Sequence, residues 1–406
     1  VNMKSKVLLL SSYPLVKPRH GGQIRLANIK KAYESNGFDV INFALYEPEN
    51  YPKSDVDSHD LPFDFNSPYR KFNGKLVPLI TDLQSGEYVS KDRFFFDKLI
   101  KIIPRDIDVI HVEQPWLWPL TERLISEVFV RRPILIYGSQ NIEWMLKKDI
   151  LESYSINETE SIIQKIKELE ISAAQQADIV CAVTESDSDV LSTYGAQNVI
   201  LARNGISKWT AAKDRLDYWR SQLPMVPWIL YVASGHPPNF TGFKACIGDS
   251  LACIPPDSKL VVVGSVCESL YGQLVDTDYN SVNKSRLQLL YMLSDEDLAA
   301  VKELATAFLL PIPHGGGSNI KTAEAIFSKK YVIATETALR GYERYKDLDK
   351  IKICHNSHDF TSSIRSILND KSQCITTEEP NNLDDLLWEH CLQIIPQTVK
   401  KVIEGK

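Results

Sequence analysis

The sequence alternates between two kinds of stretch. A run of four or five apolar residues, rich in Val, Ile and Leu, is followed by residues at helical spacing. In the first half the apolar runs are Val7–Ser11, Val40–Ala44, Val109–Glu113, Ile134–Gly138, Ile179–Val183 and Val199–Ala202. Helical spacing covers 90–103, with Phe95, Leu99 and Ile102 on one side. It also covers about 158–177, where Ile162, Ile166, Leu169 and Ala173 share a face. The second half repeats the scheme. Strand runs are Trp228–Ala233, Leu260–Gly264, Leu287–Leu290, Phe308–Leu310 and Tyr331–Ala334, with helices expected at 295–305 and 319–327. Runs that are apolar throughout, instead of alternating, belong to parallel sheets covered on both faces. Two series predict an α/β chain of two doubly wound, Rossmann-like domains, and 406 residues suit two. The expected boundaries are 1–205 and 206–382. The stretch 205–227 between them is polar and Trp-rich without clear periodicity. A final segment, 383–406, carries Leu386, Leu387, Cys391 and Ile394 at helical spacing.

Charge and cysteine usage exclude several classes. Lys plus Arg number 46 against 52 Asp plus Glu, a net charge of −6 with no blocks of one sign. That is no footprint for nucleic acid. The apolar runs, such as Val7–Leu10 and Val261–Val263, fall far short of the ~18 residues of a spanning helix. Val7–Leu10 is also short for the ~7–15 apolar residues of a secretion signal. Seven cysteines, spread from Cys181 to Cys391 without a C-x-x-C, predict reduced thiols in the cytoplasm, not a disulfide framework or zinc ribbon. The sequons at Asn157, Asn239 and Asn283 then read as chance matches. Five D-x-D triplets, Asp55/Asp57 among them, read as solvated loops. His355 and His358 lack a third ligand, so no metal site is expected.

In open parallel sheets, ligands bind beyond the carboxyl ends of the strands, where the strand order reverses. Two such domains facing each other predict a cleft lined by strand-to-helix loops. One candidate loop holds Gly21 and Gly22 with Arg25, where backbone amides can approach an anion at a helix start. It reads equally well as a tight turn. Another, Pro311–Ala325, contains His314, Gly315, Gly316 and Gly317. Ser318 or Asn319 stands ready to cap a helix there, and Lys321 and Glu324 lie one turn apart. Amides and a cation suit phosphates, and a carboxylate suits a ribose diol. Neither loop is a dinucleotide fingerprint or a Walker loop. His111 and Glu113 end a strand with side chains on one face, and either could meet an acceptor or be an ordinary strand end. Trp116 and Trp118 could stack on a sugar, touch a membrane or close the core. Phe94–Phe96 with Lys98 and Lys101 fit a helix covering the sheet, or one facing a membrane.

The order and spacing of these pieces resemble the GT-B glycosyltransferases of the retaining family 4 ("group 1") type, nearly end to end. The resemblance rests on Gly21-Gly22 with Arg25, Asp108–Glu113, Ser139–Trp144, Ala177–Val180 with Thr184-Glu185, and Arg203–Ile206. It continues through Gly235–Asn239, Gly315–Ala325 and Ala338–Gly341. It implies a GT-B fold whose C-terminal helix crosses back to the first domain. It also implies an acceptor-binding first domain and a nucleotide-sugar-binding second domain. Lys321, Glu113 and His111 become catalytic candidates. Gly21, Gly22, Arg25, Gly235, Asn239, His314, Gly315, Gly316, Gly317, Ser318, Asn319 and Glu324 become donor-binding candidates. Gln140, Asn141 and Glu143 become acceptor-binding candidates. The family's paired glutamates match Glu324 at the second position and Gly316 at the first. Gln140 stands where a His is common. These departures permit a subtype in which glycine-loop amides and Lys321 handle the phosphates.

The expected activity is therefore transfer of a sugar from a nucleotide-sugar donor to a hydroxyl of a carbohydrate or glycolipid, with retention and without metal or added cofactor. Base and sugar are not specified by these residues. Polysaccharide or glycolipid assembly is the family-level context, in the cytoplasm with scope for peripheral membrane contact. Two rivals remain on the residues alone: a nucleotide-sugar 2-epimerase, and a non-enzymatic two-lobed sugar-binding protein.

Overall fold

The structure is a computed structural model describing residues 4–315, 319–370 and 383–405. It contains two compact units: Val1–Gly205 with Trp388–Lys406, and Ile206–Leu387.

The first unit is built on a seven-stranded parallel sheet. Its strands are β1 (Lys6–Ser11), β2 (Asp39–Tyr46), β3 (Leu61–Pro62), β4 (Val109–Glu113), β5 (Ile134–Gly138), β6 (Ile179–Ala182) and β7 (Val199–Leu201). They lie in the order β3-β2-β1-β4-β5-β6-β7. The chain winds outward from β1 in one direction and from β4 in the other, so the switch point is the β1/β4 pair. The register there runs from Val7↔Val109 to Leu10↔Val112. The helices are α1 (Gly21–Ser35), α2 (Thr81–Lys91), α3 (Arg93–Ile102), α4 (Trp118–Glu127), α5 (Glu143–Ser153), α6 (Glu160–Gln176) and α7 (Glu185–Thr193).

The second unit begins with α8 (Lys213–Gln222). Its six-stranded parallel sheet has the order β10-β9-β8-β11-β12-β13. The strands are β8 (Ile229–Val232), β9 (Leu260–Val263), β10 (Leu287–Tyr291), β11 (Ala307–Leu310), β12 (Tyr331–Thr335) and β13 (Ile351–Cys354). Here the switch point is β8/β11. The helices are α9 (Pro237–Ile247), α10 (Val266–Val275), α11 (Asn280–Arg286), α12 (Asp295–Leu304), α13 (Ile320–Phe327) and α14 (Ser357–Asn369). The chain then returns to the first unit through α15 (Trp388–Cys391) and α16 (Ile394–Glu404), and α16 packs on α1 and β7. No helix among the described residues is long and apolar enough to cross a membrane.

Several local expectations change. The helix read at 90–103 is two helices, because Asp92 accepts from the Phe95 amide at 2.8 Å and caps α3 afresh. The stretch 205–227 is not structureless. It contains α8, fixed to α12 because Asp297 accepts from both Arg215 Nε (2.6 Å) and Trp219 Nε1 (2.9 Å). The final segment is not one helix. Leu383, Leu386 and Leu387 stay in the second unit's core, and Ile206 N–H donates to the Leu386 carbonyl at 2.9 Å. Asp55 is not solvated. It is 3% exposed and takes ion pairs from Lys17 (3.0 Å) and Arg19 (2.7 Å). Trp116 and Trp118 are both buried. In α3, Phe95 and Phe96 are buried, whereas Phe94 is exposed.

The sequon at Asn283 lies in the interior. The Asn283 amide accepts from the Leu251 N–H and donates to the carbonyls of Asp249 and Leu274, each at 2.8 Å. Removing it strands three backbone groups in a dry site. Asn283→Ala should therefore cost the second unit about 2–4 kcal/mol, read as a lower urea midpoint with an unchanged slope.

Candidate functional site

Both switch points carry polar side chains. In the first unit, α1 leaves the exit of β1 at Gly21, capped by His20, whose Nδ1 accepts from the Gln23 amide at 3.4 Å. α1 lays Arg25 and Tyr33 over the β4 face toward which His111 and Glu113 both point. The His111 Nε2–H donates to Glu113 Oε1 at 2.8 Å, since a carboxylate can only accept, and the Tyr33 hydroxyl sits 2.8 Å from Nδ1. Gln140 donates to Glu113 Oε2 (2.8 Å) and to Tyr13 Oη (2.6 Å). Arg25 Nε stands 3.6 Å from Glu113 Oε2, and its Nη1 donates to Asn204 at 3.1 Å. Burial alone would push the Glu113 carboxyl up. The His111 bond, the Arg25 charge and the Gln140 bond outweigh it and hold the carboxyl below its ordinary range. The neighbouring strand must have glycine at 138, because a Cβ there would lie 1.9 Å from Glu113 Oε1.

This changes the roles expected of three residues. His111, Glu113 and Arg25 are 0%, 1% and 2% exposed. They contact one another beneath α1 and offer nothing to a ligand at the surface. The alternation that puts His111 and Glu113 on one face puts them on the face that α1 covers. Of the acceptor candidates, Gln140 spends both its N–H groups inside the network. Asn141 accepts from the Ser139 hydroxyl through its backbone carbonyl at 3.0 Å, and Glu143 is buried at the start of α5. Gly22 is half-buried beside Tyr13 and Gln140: a Cβ there would lie 2.7 Å from Tyr13 Oη. Gly21 is exposed at the first turn of α1.

The open space at this switch point is a cavity of about 190 Å³ beyond the ends of β1, β2 and β4. Ser12, Tyr13, Glu47, Asp82, Gln114 and Trp116 are among the residues lining it. Gln114 holds a left-handed backbone, φ 65°, at the end of β4. Strain of this kind concentrates at functional positions. The sequence offered one usable signal for most of these residues: Ser12, Tyr13, Glu47, Gln114 and Trp116 sit just past a strand exit, whereas Asp82 comes from the first turn of α2.

In the second unit, α9 and the exit of β11 approach so closely that a Cβ on Gly242 would meet the Pro311 carbonyl at 2.8 Å. That brings the loop after β8 beside the loop after β11. In the first loop, Gly235 N–H donates to Ser265 Oγ at 2.7 Å, and Asn239 donates to the Ser234 carbonyl at 2.9 Å. In the second, Thr337 bonds the Pro313 carbonyl (3.3 Å) and Arg340 the Gly315 carbonyl (3.3 Å). His314 and Gly315 are exposed. Gly316, Gly317 and Ser318 lie outside the described residues. Asn319 caps α13, accepting from the Lys321 amide at 3.0 Å. Glu324 does not pair with Lys321. Its Oε2 takes an ion pair at 3.0 Å from Lys302 of α12, a buried residue the sequence reading did not single out, and the Lys302 ammonium also lies 5.2 Å from the centre of the Trp209 ring. The Lys321 ammonium makes no hydrogen bond or ion pair with any described residue. Burial, and less so Lys302, pull its pKa down against the Glu324 charge.

Three possible metal ligands come together in the first unit, Asp57, His59 and Asp60. They are already engaged. Asp60 accepts from the amides of Ala44 (3.0 Å) and Asp57 (2.9 Å), and His59 Nε2 donates to the Asn42 carbonyl at 2.6 Å.

Glu143 gives a pH test of the first unit. Glu170 accepts from the amides of Glu143 (2.7 Å) and Trp144 (3.0 Å) at the start of α5. Burial, then Glu170 and Asp82, push the Glu143 carboxyl up to about 8, and burial pushes that of Glu170 up to about 7. The folded state thus keeps protons that the unfolded chain releases near pH ~4.3. The stability they permit is complete below that pH and is lost as pH rises through 7 to 8. Unfolding free energy should fall between pH 5.5 and 8.5, and Glu143→Gln should remove on the order of 3 kcal/mol of that fall. Parallel profiles for the two proteins would contradict the assignment.

No family model matches the chain, and no curated protein matches it. Solved structures do match. Sucrose-phosphate synthase from Thermosynechococcus elongatus aligns over 99% of this chain and 100% of its own, at 14% identity and a TM-score of 0.68. WaaG, a glycosyltransferase involved in lipopolysaccharide biosynthesis, aligns over 98% and 100%, at 13% identity and 0.60. Anabaena HepE in complex with UDP-glucose aligns over 99% and 100%, at 14% and 0.56. A UDP-N-acetylglucosamine 2-epimerase candidate from Listeria monocytogenes aligns over 100% and 98%, at 12% and 0.57. With two parallel Rossmann-like units and a chain end that returns to the first, this chain has the GT-B fold of these glycosyltransferases.

Proposed function

We propose that the protein is a glycosyltransferase that moves a sugar from a nucleotide-sugar donor to a hydroxyl of a carbohydrate or glycolipid acceptor, with retention at the anomeric carbon. The observation that supports this best is Lys321, a cation without a partner among the described residues, at the first turn of α13 and one turn from Glu324. A diphosphate gives Lys321 its counter-charge. The amides at the start of α13 add donors. Glu324, with one oxygen fixed by Lys302, accepts from the ribose diol through the other. As the glycosidic bond breaks, charge builds on the departing diphosphate, and fixed donors aimed at developing charge are the strongest catalytic device of such a site. UDP is the first nucleotide to test, since HepE binds UDP-glucose.

Calorimetric titration of UDP and uridine tests the site. Glu324→Gln keeps an oxygen for Lys302 yet should weaken both ligands roughly tenfold. Lys321→Ala should weaken UDP far more than uridine. Unchanged affinities for both variants would move the donor elsewhere. Incubating UDP-sugars without acceptor separates transfer from isomerisation: accumulation of an epimer would favour the 2-epimerase reading.

We also propose that no metal or further cofactor takes part, because Lys321 and the helix start supply the positive charge a cation would. Turnover should survive a strong chelator. Loss of turnover that magnesium or manganese restores would refute this.

A further inference from the structure

The cavity of the first unit has a charge pattern that specifies its ligand more narrowly than "acceptor". At about 190 Å³ it is smaller than the roughly 300–1,000 Å³ of drug-sized pockets, a size for one sugar ring. Much of its wall is neutral and polar. The Tyr13 hydroxyl accepts from Gln140 and keeps its own proton to donate. Ser12, Asn50 and Tyr51 add further hydroxyl and amide groups. Trp116, another lining residue, is 1% exposed and its indole N–H has no hydrogen-bond partner. Such a wall suits a ligand rich in hydroxyls.

The charges divide unequally. Asp82 is neutralised by Lys147, 2.7 Å away, and Lys147 also donates to the Leu79 carbonyl at 2.8 Å. Arg70 is taken by Glu49, at 2.5 and 3.1 Å. The Glu47 carboxylate has no ion pair among the described residues, and the one hydrogen bond it accepts from them comes from Asn50 Nδ2 at 2.7 Å. No lining residue is a free cation.

We infer that this cavity binds an amino sugar, whose protonated amine pairs with Glu47, and that it rejects sugars bearing carboxylate or phosphate. In naming the acceptor class this rests on the transferase reading, but the binding itself does not require turnover. The groups facing Glu47 support it. Burial, then Glu49 and Asp82, push its carboxyl up to about 7, against Arg70 and Lys147, which are both engaged elsewhere. A ligand ammonium relieves that strain, whereas a second anion adds to it.

The test titrates the full chain with methyl glycosides of glucosamine, N-acetylglucosamine and glucuronic acid, followed by NMR, with UDP titrated in parallel. The glucosaminide should bind roughly tenfold more tightly than the neutral glycoside, and the glucuronide most weakly. Glu47→Gln should abolish the preference and leave UDP affinity unchanged, which also shows that the variant is folded. Equal affinities, a preference for the glucuronide, no binding of the glucosaminide, or a preference that survives Glu47→Gln would each overturn the inference. UDP binding without amine preference would refute this inference alone. Amine preference without UDP binding would instead refute the transferase reading.

Discussion

A buried carboxylate organises the first unit. Glu113 sits at the end of the central strand β4, out of reach of water, and would hold a proton if burial acted alone. Its ionisation depends on three neighbours from three elements: His111 two residues back on β4, Arg25 on α1 and Gln140 after β5. A buried ion pair contributes little net stability over apolar packing, but breaking one by removing a single partner costs several kcal/mol. The pair is thus better understood as a fastening. It fixes α1, β4 and the β5 exit in one register, and through Gln140 it sets the position of Tyr13 in the cavity wall. Gly138 is the steric condition for this, since any side chain there would occupy the carboxylate's place.

Architecture was legible because the strands are apolar on both faces, a pattern independent of long-range detail. All eleven apolar runs of the two series became strands in two parallel sheets. β3 and β13 were missed for opposite reasons. β3 is two residues with a proline, at the sheet edge, and β13 alternates Ile351, Lys352, Ile353 instead of running apolar. α8 was missed because its sequence, Lys213–Gln222, is polar on nearly every side. Its place depends on Trp219 and Arg215 reaching Asp297, about 80 positions later.

The sites were less legible because function there depends on pairing, which spacing does not reveal. Lys321 and Glu324 share a helix face, which makes them look like each other's partners. The structure gives Glu324 to Lys302 of α12, and that is what leaves Lys321 free. His111 and Glu113 read as possible acceptor contacts because they end a strand, yet the helix that covers them comes from an earlier part of the chain. The cavity residues Glu47 and Asp82 carried no motif at all. They meet only because β2 and α2 converge near the switch point.

The two units therefore present opposite unpaired charges, a lysine in the second and a glutamate in the first. In both, the rule is the same: neighbouring ionic groups neutralise each other and leave one without a counter-charge. For the second unit the neutral pair is Lys302–Glu324 and the remainder is Lys321. For the first the neutral pairs are Lys147–Asp82 and Arg70–Glu49, and the remainder is Glu47. Desolvation moves both remaining groups toward their neutral forms, Lys321 downward and Glu47 upward. Each thus favours a ligand carrying the missing charge. A phosphate on one substrate and an amine on the other would bind in separate units without either site having to reject the other's ligand by shape.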